Sequence, residues 1–338
     1  MREPAFWYRP RSFTSYALQP LGLLYGAITE RRMLRQGADA GIPVICVGNY
    51  HLGGAGKTPT VLALTKLLRE LGETPVVLSR GYGGRLKGPV MVDPARHSAA
   101  DVGDEPLMMA RDVPVAVARD RLDGVALAKA RGATMILMDD GFQNPRLLKD
   151  ASLIVIDSER GLGNGAVFPA GPLRAPLPAQ LARTDALVLI GDGRAANDVA
   201  TELAKRDKPE LRARLKPDAA SLAQLLGKRV LAFAGIGDPE RFFRTLSACG
   251  VEVARTRGFA DHHMFSREEI AALAAEARRE QLTLVTTEKD LARLRGSEGV
   301  PDDIVPFAVH LEFDDPAKLK QLISDQLYKA RERRFSRR

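Results

Sequence analysis

Short apolar runs recur along the first part of the chain, and most are separated by segments whose apolar residues stand three or four positions apart. Uninterrupted runs predict strands buried on both faces, whereas the spaced positions predict helices with one buried face. We predict strands at 44–47, 74–79, 113–116, 134–138, 153–156 and 186–190, with helices at 58–71, 107–110 and 121–130. This alternation is typical of an α/β fold with a mostly parallel sheet flanked by helices.

The rest of the chain repeats this pattern after a charged stretch at 192–217, in which 211–215 alternates like an exposed strand. We predict strands at 230–234, 251–256, 282–286 and 304–308, and helices at 239–248, 267–278, 291–294 and 316–328. A chain of 338 residues is long for one core, so two domains are expected. We place an N-terminal segment at 1–40, a main α/β domain at 41–210 and a smaller C-terminal α/β domain at 211–338.

The N-terminal segment is aromatic and flanked by arginines. Phe6, Trp7 and Tyr8 precede an apolar run at 16–28, which contains Pro20 and lies between groups of arginines. The run is too short to cross a bilayer, and no secretory cleavage site is evident. The pattern fits two structures equally: an amphipathic helix lying in a membrane interface, or a helix packed on the core of the domain.

Composition narrows the classes of partner. Apolar residues make up 45% of the chain and charged residues 27%, which excludes wholesale disorder. Two distant cysteines, Cys46 and Cys249, indicate a reduced protein with neither a disulfide framework nor a zinc site. The net charge of +8 favours an anionic partner. Because no nucleic-acid-binding signature is present, we predict no nucleic-acid partner.

A glycine-rich loop between the first predicted strand and helix carries the strongest chemical signal. Its cofactor-binding residues are Gly53, Gly54, Ala55, Gly56, Lys57 and Thr58. In a phosphate-binding loop the backbone N–H groups surround a phosphate, the lysine reaches the outer phosphates and the threonine hydroxyl binds magnesium. His51 stands where the usual pattern has its first glycine. The strand–loop–helix context still predicts a nucleoside triphosphate site.

A second signal for the same site is the acidic pair that ends the strand at 134–138. An apolar strand followed by Asp139 and Asp140 matches the Walker B pattern, in which carboxylates hold magnesium directly or through water. The loop at 161–178 is rich in glycine and proline, and long ordered loops are usually functional. Arg174 in this loop is a candidate phosphate ligand, with a surface arginine as the alternative.

Two further positions leave their roles open. Asp104 and Glu105 precede a predicted helix, where acids commonly cap the helix but can also act as a catalytic base. Asp261, His262 and His263 lie between elements of the C-terminal part, and paired histidines beside an acid suggest a functional role.

Seven motifs together resemble one known family. The segments VGNYHLGGAGKTP, SRGYGG, VGDEP, MDDGFQ, FPAGPLR, FADHH and TTEKD occur in the order found in the tetraacyldisaccharide 4′-kinases, from about residue 47 to residue 290. The resemblance implies a P-loop kinase core, a smaller C-terminal α/β domain and an N-terminal membrane-associated helix. It implies ATP and Mg²⁺ as cofactors and a place at the cytoplasmic face of the inner membrane of a Gram-negative bacterium. It implies transfer of the ATP γ-phosphate to the 4′-hydroxyl of an acylated glucosamine disaccharide 1-phosphate, which gives lipid IVA in lipopolysaccharide biosynthesis.

The resemblance also implies roles for individual residues. Asp104 matches the proposed base and His262 its partner. Arg121 and Arg174 match arginines near the phosphates and the substrate, and Thr58, Asp139 and Asp140 match the metal-binding positions. Three positions depart from the family pattern: His51 replaces Ser or Thr, Ala175 replaces Glu, and Asn144-Pro145 replaces His-Arg. The missing glutamate argues against a magnesium contact from that loop.

Three other classes of protein share part of this pattern. A P-loop ATPase of the partition type would carry a lysine just before the paired glycines, where this chain has Leu52. A small-molecule kinase without a lipid substrate would use the N-terminal segment as core. A non-enzymatic nucleotide switch would not need Asp104 paired with a histidine from another domain.

Overall fold

The structure is a computed structural model, and it describes residues 3–294, 300–301 and 303–336. The strands are β1 Val44–Gly48, β2 Pro75–Ser79, β3 Val90–Met91, β4 Val115–Val117, β5 Met135–Asp139, β6 Ala151–Asp157, β7 Ala186–Ile190, β8 Glu210–Pro217, β9 Arg229–Ala234, β10 Glu252–Gly258, β11 Thr283–Thr287, β12 Val305–Phe307 and β13 Val309–Phe313. The helices are α1 Phe13–Met33, α2 Lys57–Glu70, α3 Ala99–Val102, α4 Asp104–Met109, α5 Arg121–Ala130, α6 Leu177–Leu181, α7 Asn197–Ala204, α8 Ala219–Ala223, α9 Pro239–Ala248, α10 Arg267–Glu280, α11 Glu288–Leu294 and α12 Pro316–Phe335, with a 3₁₀ turn at Ala5–Tyr8.

The larger sheet has nine strands in the order β13-β8-β7-β6-β1-β5-β2-β4-β3. Its strands pair in parallel except at the two edges, where β3 lies antiparallel to β4 and β13 antiparallel to β8. The strand β1 is buried along its whole length, with Val44 and Cys46 in the core on one face and Ile45 and Val47 in the core on the other. This two-sided burial explains the uninterrupted apolar run and confirms the predicted mostly parallel α/β fold.

A second sheet of four parallel strands has the order β10-β9-β11-β12. Its core contains Leu231 and Phe233 of β9, against which the apolar face of α10 packs. The carboxyl ends of these strands carry the loop with His262, and α11 follows β11 directly. The structure therefore contains the smaller α/β unit that the sequence pattern predicts.

The strand assignments differ from the predicted boundary between the two units. The strand β8 belongs to the larger sheet although most of it lies within 211–338, because it pairs in parallel with β7. The chain also returns to the larger sheet after β12: β13 pairs with β8, and α12 packs into the same core as α2. The smaller sheet is thus drawn from residues 229–307, and the division of the chain into independent domains stays a prediction.

The C-terminal helix is longer than the pattern indicated. The sequence predicted a helix at 316–328, whereas α12 extends to Phe335. Arg333 and Arg334 near its end both bind Asp150, which in turn accepts a hydrogen bond from the backbone N–H of Val44 at the start of β1. The charged end of the chain is therefore part of the packed structure up to residue 335.

The N-terminal helix α1 packs on the protein through its small residues. An added Cβ on Gly22 would lie 2.8 Å from the carbonyl oxygen of Val167, and the hydroxyl of Ser15 donates a hydrogen bond to the carbonyl oxygen of Ala170. Its large apolar side chains lie exposed on the other side: Phe13, Tyr16, Leu21, Leu23, Leu24 and Ile28. Of the described helices, none is long and apolar enough to cross a membrane.

Candidate active site

The glycine-rich loop lies at the carboxyl end of β1, near the middle of the larger sheet. Its last glycine, Gly56, has a left-handed φ of 85° and stands directly before α2. An added Cβ on Gly56 would also lie 2.4 Å from Cδ1 of Ile190 on β7. Because only glycine fits this backbone and this space, the loop can direct its N–H groups and the N-terminus of α2 at an anion.

The predicted cofactor-binding residues form one continuous segment. Lys57 is the first residue of α2, and its Nζ lies 3.8 Å from Oδ2 of Asp140. Thr58 follows it and is half-buried. Gly53 also has a positive φ, of 104°, and no atom lies within 4 Å of the position that a Cβ on Gly54 would take. The segment Gly53, Gly54, Ala55, Gly56, Lys57 and Thr58 thus has the geometry that a phosphate site requires.

His51 is an unusual residue at the start of this loop. Its side chain is fully buried, and its Nδ1 has no hydrogen-bond partner among the described residues. Burial lowers the pKa of His51 to about 3, and the nearby charges of Lys57 and Arg174 act in the same direction. The imidazole is therefore neutral at physiological pH. Its backbone carbonyl accepts a hydrogen bond of 3.1 Å from Nε of Arg174.

The first acid of the predicted Walker B pair ends β5 in a buried position. Oδ2 of Asp139 lies 3.4 Å from the hydroxyl of Ser79, whereas its Oδ1 has no hydrogen-bond partner among the described residues. Burial raises the pKa of Asp139 to about 7, and the negative charges of Glu105 and Asp140 add to this effect. An unpaired buried carboxylate oxygen beside a lysine and a phosphate loop fits a site for a divalent cation.

The second acid, Asp140, is held by basic side chains. Arg174 binds both of its oxygens, with Nη1 to Oδ1 at 2.7 Å and Nη2 to Oδ2 at 3.0 Å. Burial alone would raise the pKa of Asp140, but Arg174 and Lys57 outweigh it and hold the pKa well below its usual range. Arg174 is therefore a partly buried partner of Asp140 and not a free surface arginine, and its role as a phosphate ligand stays a prediction.

Arg121 lies at the start of α5 and is almost completely buried. Its Nη1 donates to the carbonyl oxygen of Ala118 at 2.8 Å, and its Nε has no partner among the described residues. Burial lowers the pKa of Arg121, and the neighbouring Asp139 opposes this effect. A buried guanidinium with a free donor beside a carboxylate is suited to bind an anionic group.

The second predicted cluster joins the two sheets. Nδ1 of His262 lies 3.0 Å from Oδ2 of Asp104, and we call these two residues the acid–base pair. Asp104 is the first residue of α4, and its other oxygen accepts a hydrogen bond of 2.9 Å from the N–H of Glu105, so it also serves as a cap. His262 has a positive φ of 57°, and its backbone N–H donates to the carbonyl oxygen of Gly235. Asp104 thus accepts a backbone N–H in the first turn of α4, as expected of an acid at a helix start, and its role as a catalytic base stays a prediction.

Arg293 is a member of this cluster that the sequence reasoning missed. Its buried guanidinium binds Oδ2 of Asp104 through Nε at 2.6 Å and through Nη2 at 2.5 Å. Its Nη1 binds Oδ1 of Asp290 at 2.6 Å and the carbonyl oxygen of Gly235 at 2.7 Å. The signal in the sequence was the spacing of three between Asp290, directly before the helix predicted at 291–294, and Arg293 within that helix.

Charge around Asp104 keeps its carboxylate ionised. Burial would raise the pKa of Asp104, but the hydrogen bond with His262 and the charges of Lys289 and Arg293 hold the pKa well below its usual range. Lys289 also binds Glu105, with Nζ 2.8 Å from Oε1. The positive charge of Lys57 helps to lower the pKa of Glu105, and the negative charge of Glu105 raises the pKa of Asp139. Glu105 therefore connects the acid–base pair electrostatically to the phosphate loop.

The structure thus brings the predicted residues into two adjoining groups. The phosphate-loop group contains Lys57, Thr58, Arg121, Asp139, Asp140 and Arg174, and the second group contains Asp104 and His262 with Arg293 and Lys289. Among the described residues, no cluster of three or more His, Cys, Asp or Glu side chains could hold a metal by itself. Mg²⁺ commonly takes one or two carboxylates and completes its shell with phosphates and water.

Comparisons with known proteins identify one family over nearly the whole chain. A family model described as tetraacyldisaccharide-1-P 4′-kinase matches residues 14–328. A tetraacyldisaccharide 4′-kinase of Bradyrhizobium diazoefficiens is 88% identical over 338 residues, which cover 100% of both chains. A tetraacyldisaccharide 4′-kinase of Nitrobacter winogradskyi is 66% identical over 334 residues, covering 98% of this chain and 99% of the relative.

A solved structure is similar in fold as well. It is LpxK from Aquifex aeolicus, described as an "apo" form in complex with ATP, and it is 28% identical to this chain with a TM-score of 0.71. The alignment covers 93% of this chain and 99% of that one. With the family model spanning nearly all of the described fold, this chain belongs to the tetraacyldisaccharide-1-P 4′-kinase family.

Proposed function

We propose that this chain transfers the γ-phosphate of ATP to the 4′-hydroxyl of an acylated glucosamine disaccharide 1-phosphate. The observation that carries the proposal is the acid–base pair Asp104–His262, held at 3.0 Å next to a phosphate-binding loop. A switch or a simple ATPase needs a phosphate site, whereas a kinase also needs a group that accepts the proton of the attacking hydroxyl. Family membership supports the identity of the lipid substrate.

The residues at the glycine-rich loop fit ATP and Mg²⁺. The hydroxyl of Thr58 and the unpaired oxygen of Asp139 are hard oxygen ligands, and Asp140 would contribute directly or through water. When bound, Mg²⁺ neutralises charge on the nucleotide phosphates. Because Arg174 occupies both oxygens of Asp140, Asp139 is the better candidate for direct contact with the metal.

Positive side chains would stabilise the charge on the phosphoryl group in transfer. Lys57 has the position of the P-loop lysine at the N-terminus of α2. Arg174 lies within reach of the same acidic pair, and the free Nε of Arg121 is a further donor. Donors fixed by burial before the reaction cost little reorganisation when charge develops, which is the basis of electrostatic catalysis.

Asp104 would accept the proton of the 4′-hydroxyl. Its lowered pKa keeps it in the accepting form, and a weak base suffices because phosphoryl transfer depends mainly on positioning and charge stabilisation. His262 would fix the carboxylate through its Nδ1 and tune its basicity. Since Asp104 begins α4 and His262 lies in the loop after β10, productive chemistry would require these two elements to lie together as in this structure.

A membrane surface is the proposed location of the reaction. The exposed face of α1 carries large apolar side chains, and arginines follow it in the last turn of the helix. Such a face suits burial in the interfacial region of an anionic leaflet, here the cytoplasmic face of the inner membrane of a Gram-negative bacterium. The acyl chains of the substrate would then stay in the bilayer while its sugar enters the site.

The proposal is tested by incubating the full chain with Mg-ATP and detergent-dispersed acylated disaccharide 1-phosphate. We expect a mass gain of one phosphate on the lipid, and loss of that gain in Asp104→Ala. ATP hydrolysis without lipid phosphorylation would favour the P-loop ATPase reading, and phosphorylation of a water-soluble sugar alone would favour a small-molecule kinase.

A further inference from the structure

A basic cavity of about 400 Å³ lies apart from the acid–base pair. It is open to solvent on one side and lined by residues at and after the end of α1, by the connection from β5 to β6, and by residues directly before β7. Three cationic side chains line it, Arg35, Lys149 and Arg183, together with one acid, Asp185. None of these residues has a part in the reaction steps above.

Lys149 is the unusual member of this lining. Its ammonium group donates a hydrogen bond of 2.5 Å to the carbonyl oxygen of Asn144, and the side chain is partly buried. Among the described residues no carboxylate forms an ion pair with it. Burial lowers the pKa of Lys149, and the positive charges of Arg183 and Arg121 act in the same direction. A partly buried cation among other cations lacks the compensating charge that such groups normally have.

The single acid of the lining does not supply that charge. Oδ2 of Asp185 accepts a hydrogen bond of 2.8 Å from the N–H of Ser152, and its Oδ1 lies 3.6 Å from Nζ of Lys208. Arg35 and Arg183 are exposed, and neither forms an ion pair with any described carboxylate. The cavity therefore has a net positive charge and unused donors from three side chains.

The position of the cavity links the candidate active site to the apolar face of α1. The connection that carries Lys149 begins with Asp140, directly after β5. Gln143 in the lining donates a hydrogen bond of 2.8 Å to the carbonyl oxygen of Asn49 beside the glycine-rich loop. At the other side, Leu34 lines the cavity and is 69% exposed, next to the residues proposed to enter the membrane.

We propose that this cavity binds the phosphate group of a lipid through Lys149, Arg183 and Arg35. The inference rests on the proposed function, because it assigns the cavity to the 1-phosphate of the disaccharide whose distal sugar is at the acid–base pair. A membrane phospholipid offers the same phosphate chemistry, so the experiments below separate these two sources. The lysine and two arginines supply charge-assisted hydrogen bonds, which are the strong contacts to phosphate.

The first experiment compares substrates with and without the 1-phosphate, dispersed in neutral detergent. We expect Lys149→Gln and Arg183→Gln each to raise KM for the 1-phosphate substrate about tenfold with little change in kcat, because a charged hydrogen bond is lost. With the 1-hydroxyl analogue, KM should be the same in variants and wild type. Lys149→Arg keeps the charge and should restore a low KM. Arg279→Gln removes an exposed charge on α10 and is the matched control.

The second experiment measures sedimentation with phosphatidylglycerol and phosphatidylcholine vesicles. If a phospholipid headgroup occupies the cavity, Lys149→Gln and Arg183→Gln weaken binding to phosphatidylglycerol vesicles, while KM for both substrates stays unchanged. Either of these two results supports the cavity as a phosphate site and names its source. The proposal is overturned if Lys149→Gln and Arg183→Gln have the same KM and the same vesicle binding as the control variant Arg279→Gln.

A third measurement separates this proposal from the kinase activity. Glucosamine 1-phosphate is titrated into wild type and Lys149→Gln by calorimetry, with a non-hydrolysable ATP analogue saturating the glycine-rich loop. Weaker binding in the variant supports the cavity even if the chain fails to phosphorylate lipid. Because Arg183 is exposed, Arg183→Gln gives the same test if Lys149→Gln fails to fold.

Discussion

Asp104 is bound by two residues of the smaller unit, His262 and Arg293. One of its oxygens meets His262 from the β10 loop and Arg293 from α11, and Lys289 of the same helix binds its neighbour Glu105. A carboxylate so surrounded is ionised and fixed in orientation. At the scale of single residues, the chemistry of the site therefore depends on cations supplied by the smaller sheet.

Arg293 is expected to act as a positioning residue. In Arg293→Gln the pKa of Asp104 rises towards its ordinary value, because one of the charges that lowers it is gone. Asp104 must be ionised to accept a proton, so the acid limb of kcat/KM against pH should move to higher pH. Arg293→Lys should restore part of the shift, and Arg257→Gln, which breaks an exposed ion pair in the same unit, should leave it unchanged. An unmoved acid limb in Arg293→Gln would show a purely structural role.

The acid–base pair is expected to work as a unit. Asp104→Asn and His262→Ala should each lower kcat by roughly 10²–10⁴-fold, the range of general-base contributions. Because both residues serve one proton transfer, the double variant should have a kcat only slightly below that of the less active single variant. Additive losses, measured by steady-state kinetics at saturating ATP, would contradict the pairing.

His51 predicts a pH dependence of stability. Its pKa is about 3 in the folded protein and about 6.5 in the unfolded chain, so below pH 6.5 the unfolded state binds a proton that the folded state refuses. Folding stability from this group is complete above pH 6.5 and falls by about 1.4 kcal/mol per pH unit below it, down to about pH 3. Urea unfolding at pH 7.5 and 5.5 should therefore show a smaller acid loss in His51→Ser than in wild type. Substitution of the exposed His310 by serine is the control. If His51→Ser and wild type lose the same unfolding free energy between pH 7.5 and 5.5, the expectation is refuted.

Single elements divide into those that the pattern could predict and those that it could not. The two-sided burial of β1 and β5 leaves a continuous apolar run in each, and the stripe of α2 follows its one buried face. The sequence therefore predicted these elements and the phosphate site between them. The strand β13 was missed because its residues alternate between buried and exposed over a short length directly after β12.

The two interpretations of the N-terminal helix could not be separated from sequence, because α1 both packs on the protein and exposes an apolar face, and its membrane role stays a proposal. Its small residues pack on the protein and its large apolar residues face outward, which reverses the usual placement. Similarly, Arg293 could not be assigned, since its partner Asp104 is 189 residues away and only the packing of α11 on α4 brings them together. Contacts of this range are set by tertiary structure rather than by local pattern.

At the scale of elements, α1 predicts a separation of membrane binding from folding. Leu23→Ser and Leu24→Ser together should weaken vesicle binding by about a hundredfold or more, because two leucine contacts with lipid are lost at roughly 1.5–3 kcal/mol each. The melting temperature should stay within a few degrees of wild type, since both side chains are exposed. Leu226→Ser, an exposed leucine in the other unit, should not change vesicle binding. Unchanged sedimentation of the double variant would argue against α1 as the anchor.

At the scale of the whole molecule, the C-terminal residues complete the sheet that contains the glycine-rich loop. The strand β13 forms one edge of that sheet, and Leu319, Ile323 and Leu327 of α12 are buried in its core. Arg333 and Arg334 then bind Asp150 next to the start of β1. The smaller sheet is therefore inserted in the sequence between β8 and β13, two neighbouring strands of the larger sheet.

Removal of residues 309–338 is expected to abolish folding of the larger sheet. Three buried aliphatic side chains are worth roughly 1.5–3 kcal/mol each, which is comparable with the whole stability of about 5–15 kcal/mol of a typical domain. Circular dichroism and proteolysis should show an unfolded or aggregated product. A chain ended after Phe335 keeps all of α12 and should fold normally. A soluble, ATP-binding product from the longer deletion would contradict this role.

The return of the chain to its first sheet has a consequence for synthesis on the ribosome. The apolar face of α1 emerges early, but the sheet that would bind nucleotide lacks its edge strand and its covering helix until the last residues leave the exit tunnel. On the proposed membrane role of α1, a nascent chain would reach the lipid surface before it could hold a nucleotide. Translation order would then separate delivery of the protein to its substrate from the onset of its chemistry.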